Sequence, residues 1–194
     1  MNVHPTATVH PDARIAQDAS VGPYAYIEAG VAVGNRCRIG PHAVLLRFTT
    51  LGPDCTVHAG AVLGDLPQDL AFKEAPSFVQ VSAGTVIREG VTIHRGTKEG
   101  TATRVGEGCL LMANSHLAHN VQMGNRVILA NGALLGGYVE IGDGAFVSGN
   151  AGIHQFVRVG RLAMVGGLAV LTKDLPPFCT AATGCRNRVA GVNV

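Results

Sequence analysis

Counted from Val3, nearly every sixth residue of this chain as far as Leu171 is aliphatic. Val3, Val9, Ile15, Val21, Ile27, Val33, Ile39, Leu45, Leu51, Val57 and Leu63 keep the register, which resumes at Val81, Ile87 and Ile93 and again from Val105 to Leu171. Of 29 positions in this series, 26 are Leu, Ile, Val or Met, the exceptions being Asp69, Ala75 and Glu99. Two residues before each aliphatic position the side chain is usually small or β-branched, as at Ala7, Ala19, Cys37, Cys55, Ser115, Ala133 and Ala151. A period of six suits neither an amphipathic helix nor a simple strand, whereas short strands separated by tight turns around a narrow prism bury both positions. Three hexads then make one triangular coil, and the pattern predicts an all-β chain, a parallel β-helix built from hexapeptide repeats. Gly22, Gly34, Gly40, Gly52, Gly106, Gly124, Gly142 and Gly160 follow the aliphatic residue, where a turn is expected to need permissive backbone angles.

Two segments break the rhythm, 65–80 and 95–103, and are expected to leave the prism as external loops, the places where binding residues concentrate. The prism is expected over 1–174. The tail 175–194, with Pro176-Pro177, is expected to cap the last coil, because the ends of a solenoid expose strand edges and apolar interior. After Val105, residues 18 apart should lie above one another, spaced by about 4.8 Å. His119, Gly137 and Gln155 then share one column, with Ala118, Gly136 and His154 in the next, leaving a groove about 10 Å long with histidines at both ends. Gly149 over Gly167 forms a second small column that could admit an apolar chain.

Composition narrows the class. The 194 residues carry a net charge of only +2, which demands neither nucleic acid nor an acidic membrane as partner. Gly reaches 26 and Trp is absent, as suits a turn-rich β architecture. No apolar run approaches the roughly 20 residues of a membrane helix, and the N-terminus lacks the parts of a signal peptide, so a cytoplasmic chain without membrane insertion is expected. The five cysteines, Cys37, Cys55, Cys109, Cys179 and Cys185, are odd in number and form no Cys-x-x-Cys pair, which fits reduced thiols.

The candidate chemistry is histidine. His119 lies two residues past the inward Leu117 and should occupy a prism vertex, where a neutral imidazole can take a proton from an attacking hydroxyl. His116 should face outward on a flat wall, and His94 lies at the mouth of the second loop. His4, His10, His42 and His58 fall in the N-terminal coils and read as solvated or structural. A metal reading also stands: His94, His116 and His119 could converge as three ligands with an open position, as in a γ-type carbonic anhydrase. The spacing His-x-x-His differs from that family's paired ligands.

The chain also carries, in order, Gly64-Asp-Leu-Pro-Gln-Asp-Leu, Val91-Thr-Ile-His-Arg-Gly-Thr, Leu111-Met-Ala-Asn-Ser-His-Leu-Ala-His-Asn, Val121-Gln-Met-Gly-Asn-Arg-Val-Ile-Leu-Ala-Asn, Ile153-His-Gln-Phe and Met164-Val-Gly-Gly. These strings resemble the UDP-N-acetylglucosamine acyltransferase family of lipid A biosynthesis. The resemblance implies a left-handed coil, a homotrimer, and transfer of a 3-hydroxyacyl group from acyl carrier protein to the 3-hydroxyl of the nucleotide sugar, without metal or organic cofactor. By position, His119 resembles the general base, and the Gly137 amide the donor to the oxyanion. Asp69, His94, His116, His154 and Gln155 resemble substrate-positioning residues, and Gly167 a position that helps set acyl-chain length. Three residues depart from the family pattern: Asn120 for an Asp after the base, Tyr138 for a further histidine, and Ala71 for a Lys in the first loop, with Lys73 nearby. Asn120 would leave the imidazolium without a neighbouring negative charge. Relatives continue past Gly-Val-Asn into a helical domain, so contacts to an acidic carrier protein are expected here from Arg158, Arg161, Lys173, Arg186 and Arg188. A shortened, inactive scaffold that still binds carrier protein is the remaining alternative.

Overall fold

A computed structural model describes residues 2–193. Its strands are two to four residues long and stack into three sheets of 11, 9 and 8 strands, which form the walls of a triangular prism. The first wall begins at Asn2–Val3, the second at Thr8–Val9 and the third at Arg14–Ile15. All pairings are parallel except that of Val189–Val192 with Cys179–Ala181. No α-helix occurs among the described residues. The fold is a left-handed parallel β-helix.

The six-residue rhythm is the core. From Val21 to Leu171 every aliphatic residue of the series is buried, while Val3, Val9 and Ile15 are half-exposed, with no further coil beneath them among the described residues. Asp69, Ala75 and Glu99, the residues that break the series, lie outside the core. Burying each Leu, Ile or Val contributes about 1.5–3 kcal/mol. The inward thiols reach carbonyls of the following coil, Cys37 Sγ to Gly52 O at 3.0 Å and Cys109 Sγ to Gly124 O at 3.2 Å, and all five cysteines are free.

The glycines that follow the aliphatic residues have a different purpose from the one their position suggests. None adopts a left-handed φ; that angle falls two residues later, at Tyr24, Arg36, His42, Asn114, Asn120 and Tyr138 among others. A Cβ at Gly34 would stand 2.7 Å from the Gly52 carbonyl carbon, and one at Gly106 would run into Gly124. These glycines permit close approach of backbone in successive coils. Bulky side chains meanwhile bear the left-handed angle, a cost that the ladder on either side must offset.

The two excursions are shorter than the broken rhythm predicts. They comprise residues 66–77 and 95–101, because Phe78–Val81 and Ala102–Val105 pair with each other in the third wall and Val79 pairs with Thr49. Thr56 pairs with Val86, thirty residues on, and Thr92 with His116, twenty-four on, where an ordinary coil takes eighteen. The insertions are thus twelve and six residues long, whole hexads, so the aliphatic phase survives them. Past 174 the chain adds one more coil of sixteen residues, with Leu175 bridging Val159, Thr180 pairing with Met164 and Arg186 bridging Val170. Val189–Val192 then lies antiparallel on it, where a cap would sit.

Candidate active site

Both excursions leave the prism at the same vertex, between the second and third walls, because Val62–Asp65 and Thr92–His94 precede them and Phe78–Val81 and Ala102–Val105 follow. In the next coil that vertex holds His119 and Asn120, and in the two after it Gly137-Tyr138 and Gln155-Phe156. The column is fixed by backbone bonds: Tyr138 N–H donates to His119 O at 3.0 Å and Phe156 N–H to Gly137 O at 2.9 Å.

His119 and Gly137 are in direct contact. The imidazole lies over the Gly137 Cα, so a Cβ there would meet Cε1 and stand 2.6 Å from Nε2 and 3.0 Å from Nδ1. Tyr138 meets the imidazole edge-on at 5.3 Å between centroids and stacks on Phe156 at 5.0 Å. Nδ1 faces Asn120 Oδ1 at 3.1 Å, and Nε2 has no protein partner among the described residues. Among the described residues the Gly137 N–H also has no partner. Its hexad position lies outside the ladder: Pro5, Pro11, Pro23, Pro41 and Pro53 occupy it in the early coils, and at Asn125 the N–H donates to a side chain, Asp143 Oδ1, at 2.7 Å. A ring nitrogen and a backbone N–H, neither with a partner among the described residues, therefore adjoin one vertex; with a lone pair on that nitrogen they are the pairing that acyl transfer through a tetrahedral intermediate requires.

His94 and His116 stand beside this pair on the second wall, ring edge to face at 4.9 Å. His116 Nδ1 shares a 2.7 Å hydrogen bond with Thr92 Oγ1. Burial, reinforced by the neighbouring imidazoles of His94 and His119, holds His116 down to about 4. Burial also lowers His94, against the opposing pull of the Asp65 carboxylate. Both rings are neutral near pH 7, and His94 Nδ1 is buried without a partner. His116 is half-buried and not fully outward, because His94 in the coil below leans on it.

The other expected site residues are more dispersed. His154 and Gln155 are exposed, and the Gln155 backbone lies so near Gly136 that a Cβ there would stand 2.7 Å from its nitrogen. Asp69 makes local hydrogen bonds, its Oδ1 accepting the Ala71 N–H at 2.9 Å, and among the described residues no hydrogen bond joins it to His119. Gly167 stacks against Gly149, whose oxygen would lie 3.6 Å from a Cβ. Arg158 is engaged by Asp174 at 2.6 Å and Arg161 lies over Phe178, while Lys173, Arg186 and Arg188 are exposed cations without such partners among the described residues. His10 and His58 sit by Asp12 and Glu89, each at 3.7 Å, and His42 stacks on Tyr24. Among the described residues no three His, Cys, Asp or Glu side chains converge as metal ligands within the chain.

Two features were not singled out in the sequence. Thr97, in the second excursion, bonds both Asn120 and Tyr138. Arg95 is fully buried, donating to Glu74 at 2.6 Å and Ala75 O at 2.9 Å between the rings of Phe48 and Phe72, and so pins the first excursion to the second. A charge at the start of a loop carries no sign that it will be buried. The prolines were the available signal for the free Gly137 N–H.

Fold and site together define a hexapeptide-repeat transferase: the bacterial transferase hexapeptide (six repeats) family matches residues 12–47, 30–65 and 102–137. The chain is 41% identical over 195 residues to the acyl-(acyl-carrier-protein)-UDP-N-acetylglucosamine O-acyltransferase of Campylobacter concisus (strain 13826), covering 100% of this chain and 74% of that protein. It is 47% identical over 194 residues to the enzyme of the same name from Anaeromyxobacter sp. (strain Fw109-5), covering 100% and 75%. The solved UDP-N-acetylglucosamine acyltransferase from Campylobacter jejuni superposes with a TM-score of 0.93 at 37% identity, covering 99% of this chain and 75% of that one. The chain belongs to the UDP-N-acetylglucosamine acyltransferase family.

Proposed function

We propose that this protein transfers a 3-hydroxyacyl group from acyl carrier protein to the 3-hydroxyl of UDP-N-acetylglucosamine, with His119 as general base. The observation that carries the reading is the unpartnered His119 Nε2 lying against Gly137, whose N–H is itself free. Nε2 takes the proton as the sugar oxygen attacks the thioester carbon. The carbonyl oxygen becomes an oxyanion that accepts from the Gly137 N–H. Collapse of the intermediate breaks the carbon–sulfur bond, and the departing thiolate takes the proton back from the imidazolium. His94 and His116, neutral and packed together, offer hydrogen bonds to the substrate without adding charge. Asp69, His154, Gln155 and Gly167 are its positioning and chain-length residues on this reading, and Lys173, Arg186 and Arg188 meet the acidic carrier protein.

The working unit is a homotrimer of cytoplasmic chains. Leu70, fully exposed in the first excursion, and Leu134 and Val170, about half-exposed along the second wall, fit burial against a second copy. The described residues contain no helix long and apolar enough to cross a membrane. The test is mass spectrometry of reactions containing the full chain, UDP-N-acetylglucosamine and 3-hydroxyacyl carrier proteins of several lengths. A nucleotide sugar heavier by one hydroxyacyl group is expected. No product with any donor, from a chain that sediments as a trimer, would overturn the reading.

A further inference from the structure

The residue beside the proposed base is Asn120, buried and at a left-handed φ of 63°. Its Oδ1 lies 3.0 Å from Thr97 N, 2.9 Å from Thr97 Oγ1 and 3.1 Å from His119 Nδ1. A backbone N–H can only donate, so the Asn120 atom facing Thr97 N is the carbonyl oxygen and not the amide nitrogen. The same oxygen faces His119, and an acceptor there requires a hydrogen on Nδ1. Thr97 Oγ1 gives its own hydrogen to this oxygen and is then left to accept the Tyr138 O–H at 2.8 Å. One backbone donor thus sets every direction in a chain running from Tyr138 through Thr97 and Asn120 to His119. The Asn120 backbone N–H donates to Thr103 Oγ1 at 2.8 Å, which anchors the backbone at this residue.

We infer that Asn120, held by Thr97 and Tyr138, is a positioning residue that locks His119 in the Nδ1–H tautomer and leaves Nε2 as the lone-pair nitrogen. Which ring nitrogen bears the proton is set by the hydrogen bond the other makes. A carboxylate here would fix the same tautomer and add charge; the amide fixes it without charge, and two of the three residues that depart from the family pattern, Asn120 and Tyr138, act as one unit. The catalytic meaning rests on His119 being the base proposed above, but the tautomer is read without substrate.

The test is two-bond proton–nitrogen correlation NMR of the full chain labelled with nitrogen-15 at histidine, at pH 8.5, with His119 assigned by loss of its signals in His119→Gln. Wild type is expected to show a protonated Nδ1 and a bare Nε2. Asn120→Gly keeps the left-handed backbone at no steric cost and is expected to populate the Nε2–H form, whereas Asn120→Asp restores the Nδ1–H form. In acyl transfer, kcat of Asn120→Gly is expected to fall about tenfold or more with KM little changed, and Asn120→Asp to recover it. A wild-type His119 in the Nε2–H form, or an unchanged tautomer in Asn120→Gly, overturns the inference, and the wild-type spectrum alone decides if the variant fails to fold. Full kcat in Asn120→Gly overturns its catalytic part. The expected tautomers without any acyl transfer by wild type would sink the proposed reaction and leave the ring assignment standing.

Discussion

Gly137→Ala tests the geometry on which the proposed reaction depends. Gly137 does not use a left-handed φ, so its backbone accepts alanine without strain. The added methyl instead strikes the imidazole, standing 2.6 Å from Nε2 where ordinary contact begins at 3.4 Å. The atoms met are a side chain and not backbone, so the ring yields, by about 1 Å, and the ladder stays in place. A misplacement of that size costs about 10²-fold in rate, or about 2.7 kcal/mol of transition-state stabilisation. The assay is kcat/KM for acylation of UDP-N-acetylglucosamine beside a thermal melt. The expected result is a loss of that order in kcat with Tm within about 2 °C of wild type, since replacing glycine where the backbone allows it changes stability by less than about 1 kcal/mol. Full activity would refute the reasoning, because His119 could not then be working from its place above Gly137.

Three further outcomes follow from the packing. Ser115 Oγ is buried without a partner at a column position where Ala133 and Ala151 stand in the next coils, so Ser115→Ala should raise stability by about 1 kcal/mol and Tm by about 2–4 °C; a lower Tm would contradict this. His116 titrates near 6.5 when unfolded but only at about 4 when folded, so unfolding takes up a proton between those values. Its contribution is therefore complete above about pH 6.5 and lost as pH falls toward 4, by up to about 3 kcal/mol, and urea melts of His116→Gln should show a flatter pH dependence than wild type. Arg95→Met removes the donors to Glu74 and Ala75 O, so trypsin should cut after the exposed Lys73 several-fold faster; unchanged cleavage would show that Arg95 does not hold the loop.

The coils were legible because their cause is repetitive: outside the two excursions, one aliphatic residue and one small or β-branched residue per hexad mark the two inward positions of every wall from Val21 to Leu171. The column His119, Gly137 and Gln155 was legible for the same reason, since no insertion intervenes after Val105. The reason for the glycines was not, because a turn and a close approach leave the same residue in the sequence. Gly106 and Gly142 are required by the backbone of the following coil, which only the stacked structure brings near. The ties among Thr97, Asn120 and Tyr138 span 23 and 41 residues across a six-residue insertion, and no periodicity relates them. Asn120 read in sequence as the loss of a charge; in the fold its oxygen meets three donors, at 2.9 to 3.1 Å.

The central claim is that His119 moves the proton. The most direct measurement is the single-turnover rate of acyl transfer by His119→Gln, which keeps a polar side chain at the vertex and removes the titratable nitrogen. The account predicts product from wild type and a rate lower by about 10²-fold or more in the variant, at matched saturation with both substrates. Equal rates would contradict it and require a different base.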